Sequence, residues 1–306
     1  MRPAAEGARK RQGQVSSCNK GKEWLKWDLK LTRRLGCDEL RDGGDDGMEK
    51  REAFEQAISV EIVPECEGTE TARRVRERFG TGAAAGDLTL KLDREGLCLI
   101  SDGQVLRGDF NRMLPRVKGG KLSGELLARA AKIKGAEGTL TAIDATAGLG
   151  EDSLLLAAAG FRVTLYERNP VVFELLRDAL ERAARISELE EITVRMDVRH
   201  EDSIEAMARL ETTPDVILLD PMFPERQKSA LVKKKLQMIQ KLELPCMDER
   251  ELLITAMRTK PRKLIVKRPP KGPYLAGIKP DHSIAGKAVR FDCFVSPYEK
   301  IHKFDP

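Results

Sequence analysis

From residue 140 onward the chain alternates two hydrophobic patterns. Short apolar runs at 140–144, 162–167, 192–197, 216–220 and 263–267 have the length and branched composition of buried strands. Between them, apolar positions at helical spacing begin near 154, 170, 203, 228 and 249. Asn169-Pro170 adds a cap residue followed by proline at the first helical position. Residues 288–295 alternate as an antiparallel edge hairpin would. Strands alternating with helices predict an α/β fold: a mostly parallel sheet, helices on both faces, and ligands at the strands' C-terminal ends.

Upstream the pattern shortens. Residues 58–63, 88–92, 97–100 and 105–106 alternate as strands across the turn signals Asp93-Arg-Glu-Gly96 and Asp102-Gly103, and 69–79 reads as one charged helix. A small α+β region is expected over 48–117. The stretch 112–125 is basic and Gly-rich, and Ser123 is the expected N-cap of a helix carrying Leu126, Leu127, Ala130, Ala131 and Ile133. The main domain is expected over 118–300, with a short tail at 301–306. Residues 1–47 hold few periodic apolar positions and many Lys, Arg and Gly, a composition that predicts a disordered basic tail. Its arginines are compatible with an organellar transit peptide, although nothing identifies a targeting function.

Composition narrows the class. A chain of 306 residues, 41% hydrophobic, can bury a sizeable core. No apolar run approaches the ~20 residues that span a bilayer, so a cytoplasmic protein with no membrane partner is expected. The six cysteines are scattered without a CxxC pair, which argues against a zinc site or a disulfide framework, and no metal is expected. A net charge of +5 is modest, so any nucleic-acid interface depends on where the basic residues lie. The candidates are Arg116, Lys118 and Lys121 in the basic loop, Lys228, Lys233, Lys234 and Lys235 after the fourth strand, and Lys267 and Arg268 ending the fifth.

The candidate chemistry starts at Asp144-Ala-Thr-Ala-Gly148-Leu-Gly150, a strand running through a Gly-rich turn into a helix. The third position of a dinucleotide fingerprint is Ser153, and an acid precedes the glycines. That carboxylate sits badly beside a pyrophosphate and well beside a cationic sulfonium or ammonium. The spacing resembles motif I of the class I S-adenosylmethionine-dependent methyltransferases. Glu167 ends the second strand, where a carboxylate can chelate ribose hydroxyls. Asp202-Ser203 opens the helix after the third strand and is read both as an adenine-edge contact and as a helix cap.

The fourth strand ends in Asp220-Pro221-Met222-Phe223-Pro224, which resembles the Asn/Asp-Pro-Pro-Tyr/Phe motif of methyltransferases acting on base amino groups. An exocyclic amine is a poor nucleophile because its lone pair is delocalised into the ring. The Asp220 carboxylate and the Pro221 carbonyl can accept its two N–H bonds and aim the lone pair, while Phe223 stacks on the splayed base. Met222 departs from the motif's usual second proline.

Together with Glu167-Arg-Asn-Pro-Val-Val172, the run 227–234, Val266-Lys-Arg-Pro269 and Arg290-Phe-Asp292, these blocks resemble the J-type small-subunit ribosomal RNA guanine-N2 methyltransferases over roughly 58–297. The resemblance implies a Rossmann-like, mostly parallel seven-stranded sheet and S-adenosylmethionine as cofactor. It further implies methyl transfer to N2 of a guanine in small-subunit rRNA or its particle. Carried over by position, the family's cofactor contacts fall on Glu151, Asp152, Glu167, Arg168, Asp202, Ser203 and Asp220, and the glycine turn adds Asp144, Gly148 and Gly150 as cofactor-binding candidates. Glu151 departs from the family, which usually has Arg there. Two alternatives share these features: an N-methyltransferase for another nucleic acid or a protein amine, and an inactive RNA-binding module. A nicotinamide oxidoreductase is disfavoured by Asp144.

Overall fold

The computed structural model describes residues 58–81, 88–118, 120–221, 249–298 and 301. Expectations for 1–47, Phe223, Lys228, Lys233, Lys234 and Lys235, and for the helix near 228, lie outside the described residues.

A seven-stranded sheet has the order β10-β11-β9-β8-β5-β6-β7. Its strands are β5 (Thr141–Asp144), β6 (Arg162–Tyr166), β7 (Met196–Arg199), β8 (Val216–Leu219), β9 (Lys263–Arg268), β10 (His282–Ala285) and β11 (Arg290–Val295). β7, β6, β5, β8 and β9 run parallel; β11 and β10 close the edge antiparallel. Alternation along the strands builds a core on each face. Ala142, Val163, Leu165, Leu218 and Ile265 pack with Leu154, Leu156 and Leu176, whereas Ile143, Ile217, Leu219 and Val266 pack with Met207, Leu252 and Met257. All four residues of β8 are fully buried, which explains its unbroken Val-Ile-Leu-Leu run.

A second, four-stranded sheet is built from the segments upstream. That sheet has the order β1-β2-β3-β4, from Ser59–Ile62, Thr89–Asp93, Gly96–Ser101 and Gln104–Leu106. β1 and β2 are parallel and flank α1 (Glu70–Phe79), whose N-cap Thr69 accepts a hydrogen bond from the Ala72 N–H. Beyond a single helical turn at Leu114–Val117, the longer helices among the described residues are α2 (Leu126–Ala131), α3 (Glu151–Ala158), α4 (Pro170–Ala183), α5 (Ser187–Thr193), α6 (Ser203–Ala208) and α7 (Glu249–Arg258). The small sheet leans on α4 through polar contacts. Buried Arg74 of α1 reaches Glu174 at 3.4 Å and Glu181 at 3.1 Å, and the Leu97 N–H donates to Asp178 at 2.9 Å.

Three local readings of the sequence change. Residues 187–193 form α5 and the strand begins only at Met196, because Leu189 is drawn into the core while Val194 stays 81% exposed. Ser123 lies in a 3-10 turn and donates to the Gly120 carbonyl; Glu125 precedes α2 in its place. The edge hairpin starts earlier, with β10 pairing His282 to Cys293 and Ala285 to Arg290.

Candidate active site

Strand order reverses beside β5, whose neighbours are β6 on one side and β8 on the other. In such sheets the crevice outside the strands' C-termini at this switch point is where ligands bind. Asp144 ends β5 and Asp220 follows β8, so both acids stand at its rim. A separate cleft of about 700 Å³, lined by Arg162, Thr164, Asp197 and Arg199, contains none of the glycine-loop residues.

Asp144 is buried beneath the loop. Its Oδ2 accepts from Ser153 Oγ at 2.5 Å and its Oδ1 from the Thr146 N–H at 3.1 Å, which locks the turn to the first residues of α3. Burial pushes its carboxyl up to about 7, with Asp152 and Asp220 nearby adding to the rise and the two hydrogen bonds opposing it. The two glycines do different work. Gly148 has φ +54° and open space where a Cβ would stand, so a ligand can lie against its backbone. Gly150, at φ +75°, would place a Cβ 2.7 Å from Leu176 Cδ1 and 3.1 Å from Phe110 Cζ, so it is the packing glycine.

Glu167 holds this loop from the next strand. Its Oε2 accepts from the Gly148 N–H at 3.0 Å and its Oε1 from the Asn169 N–H at 2.8 Å. A carboxylate so placed at the end of the second strand is of the type that can accept from ribose hydroxyls. Further along, Asp202 caps α6 by accepting from the Ile204 N–H at 2.8 Å, and Arg168 Nη1 lies 3.9 Å from its other oxygen. Ser203 is buried, Glu151 is exposed, and Asp152 is largely covered in the first turn of α3.

At the β8 end, the Asp220 N–H donates to Thr146 Oγ1 at 2.6 Å, tying the acid to the glycine loop. Lys267 Nζ lies 2.8 Å from Asp220 Oδ2 and 2.5 Å from Asp152 Oδ2. Burial raises the Asp220 carboxyl above the usual range; Lys267 and Arg268 pull against that rise and Asp152 adds to it. Burial alone would lower Lys267, but Asp152 and Asp220 override it and hold the ammonium protonated. Pro221 is buried beside Asp220.

The expected phosphate contacts are distributed differently. Arg116 makes a two-pronged bond to Glu125 at 2.8 and 2.7 Å, Lys118 pairs with Glu188 at 2.7 Å, and Lys121 is exposed. Arg268 is 2% exposed and its Nε donates to the Pro273 carbonyl at 2.8 Å. Arg290, within the Arg290-Phe-Asp292 block, has a structural task. It clamps the loop after β9, donating to the carbonyls of Pro270 and Gly272 at 3.0 and 3.1 Å, with Asp292 as its buried counter-ion and Tyr274 over its guanidinium. Thr146 is a site residue that sequence reasoning missed, since it sat unremarked inside the glycine block; Lys267, expected as a phosphate contact, also meets Asp152 and Asp220. Among the described residues, no group of three or more His, Cys, Asp and Glu could hold a metal, and no helix is long and apolar enough to cross a membrane.

Relatives of known kind bear on this arrangement. The family model described as "Putative SAM-dependent methyltransferase" matches residues 84–296. The ribosomal RNA small subunit methyltransferase J of Thioalkalivibrio sulfidiphilus is 37% identical over 88% of this chain and 99% of its own length. The protein of the same name from Chromobacterium violaceum is 40% identical over 74% of this chain and 92% of its own. A crystal structure of a SAM-dependent methyltransferase from Neisseria gonorrhoeae superposes with a TM-score of 0.63 at 29% identity, covering 81% of this chain and 99% of that one. The open face of Gly148, the Glu167 carboxylate at the end of the second strand and the acidic end at Asp220 fit an adenosyl sulfonium. With the parallel sheet and its switch-point crevice, they agree with the family match: the chain belongs to the S-adenosylmethionine-dependent methyltransferases, among the small-subunit ribosomal RNA methyltransferase J proteins.

Proposed function

We propose that this enzyme methylates the exocyclic N2 of a guanine in small-subunit ribosomal RNA, in the cytoplasm. The observation that carries the reading is Asp220-Pro221 at the end of β8, fixed to the glycine loop through Thr146 and next to Lys267. The names of the close relatives point to the same RNA. Glu167 would hold the ribose, the Gly148 backbone would line the cofactor's path, and Asp202-Ser203 would meet the adenine end. The bound cofactor supplies an electrophilic methyl on a positively charged sulfur.

The chain's task is then to present the amine. Asp220 Oδ1 and the Pro221 carbonyl accept its two N–H bonds, which turns the lone pair towards the methyl for direct in-line displacement. Once the new C–N bond has formed, the nitrogen loses its surplus proton to water or to Asp220. Phe223 is the proposed stacking partner for the base, and Lys228, Lys233, Lys234 and Lys235 the proposed phosphate contacts; Lys121 is an exposed cation that can join them.

The test is methyl incorporation into small-subunit RNA, with the product nucleoside identified by mass spectrometry. Asp220→Ala should lower turnover at least ~100-fold, about 2.7 kcal/mol of transition-state stabilisation. Incorporation into a different base, a different RNA or a protein amine would replace the substrate assignment. Near-wild-type turnover by Asp220→Ala would remove the catalytic one.

A further inference from the structure

Lys267 stands where the charge pattern placed a phosphate contact, yet its ammonium already joins three separate elements. It projects from β9, meets Asp152 from the first turn of α3 at 2.5 Å, and meets Asp220 from the end of β8 at 2.8 Å. One carboxylate would leave the ammonium free to swing; two on different elements fix it in place. Its side chain is 30% exposed and that of Asp152 only 16%, so solvent screens the Asp152 contact less than an ordinary surface pair, while Asp220, 38% exposed, keeps an oxygen within reach of solvent and substrate.

We propose that Lys267 is a positioning residue for methyl transfer: it pins Asp220 as a charged acceptor and couples it to the cofactor loop through Asp152. The proposal rests on the catalytic reading of Asp220 given above. With Oδ2 held by Lys267 and the backbone N–H held by Thr146, Oδ1 is the oxygen left for the substrate amine. The groups that act on Asp220 are Lys267 and Arg268 from β9, Asp152 from α3 and Asp144 from β5. Burial and Asp152 favour its neutral form, and a neutral carboxyl is a weaker acceptor for the amine. Lys267 is the largest opposing influence. Removing it raises the Asp220 pKa further, so the charged form appears only at higher pH.

The experiment compares wild type, Lys267→Met and Lys267→Arg in steady-state methylation of small-subunit RNA across pH, together with 13C-carboxyl NMR titration of Asp220 in the protein alone. In Lys267→Met, kcat at neutral pH should fall at least ~10-fold. The acid limb of its kcat profile should move up by about one pH unit or more. KM for RNA should change less than about threefold. Lys267→Arg, which folds with the charge retained, should restore most of kcat and return the limb towards wild type. The proposal is overturned if Lys267→Met keeps kcat and its acid limb, or if only RNA affinity and its salt dependence change, the signature of a phosphate contact. If the wild type transfers no methyl to this RNA, the substrate assignment fails, and the NMR titration alone decides. An Asp220 midpoint that rises in Lys267→Met then upholds the pin, and an unmoved midpoint refutes it.

Discussion

The two glycines of the loop should separate binding from stability when each is replaced by alanine. Both have positive φ, so either alanine incurs roughly 1 kcal/mol for a left-handed backbone. At Gly148 the added methyl meets nothing in the protein, and the stability loss should stop near that figure. At Gly150 it enters a space occupied by Leu176 and Phe110, with overpacking that typically adds about 1–3 kcal/mol. A total near 3 kcal/mol corresponds to a Tm drop of about 6–12 °C for a unit of this size. Cofactor affinity should move the other way. A methyl at Gly148 stands between the backbone and the ligand, and at least ~10-fold weaker binding of S-adenosylhomocysteine, about 1.4 kcal/mol, is expected. Calorimetric titration and thermal unfolding of both variants supply the four numbers. Equal Tm losses, or unchanged cofactor affinity in Gly148→Ala, would refute the division of labour.

Glu167→Ala should weaken S-adenosylhomocysteine binding by roughly 10- to 100-fold, since it removes the proposed ribose acceptors and the bond that orients the Gly148 N–H. RNA binding measured without cofactor should stay the same, and a cofactor affinity that survives would reduce Glu167 to a loop brace. Asp144 makes a pH prediction. Its folded-state pKa of about 7 lies above the ordinary 3.8, so between these values the folded chain binds a proton that the unfolded chain has released. Its contribution is therefore largest below the unfolded value and is lost as pH rises to about 7, on the order of a few kcal/mol. Asp144→Asn should flatten the stability profile across that window, as read by urea unfolding at a series of pH values; an unaltered slope would mean that another group carries it.

Much of the catalytic sheet was legible because its strands are buried on both faces. Val216–Leu219 admits few other readings, and Asp144, Glu167 and Asp220 fall at strand ends as the alternation requires. Short helices were harder. Ile192-Thr-Val alternates like a strand, but Leu189 anchors the segment as a helix, and only its burial in the core shared with Leu154 and Phe161 decides between them. Charge was the least legible property. Sequence gives the sign of Lys267, Arg116 and Lys118, whereas their partners Asp152, Glu125 and Glu188 are fixed by tertiary contacts, in two cases many residues away. The direction of Asp144 was hidden for the same reason: the acid expected to face a cation turns towards Ser153.

Phe110 lies upstream of the position, 117/118, where the chain's pattern marks a domain boundary, yet its ring forms the floor under Gly150. Met113 joins the same core, and Gly108 leaves only enough room for Ala179 of α4. The glycine loop is therefore not a transplantable cassette. A chimera joining the small sheet of one relative to the catalytic sheet of another would inherit a mismatched floor unless positions 108, 110, 150, 176 and 179 travelled together. Across related sequences, those five positions should change as a set even though they straddle the apparent seam.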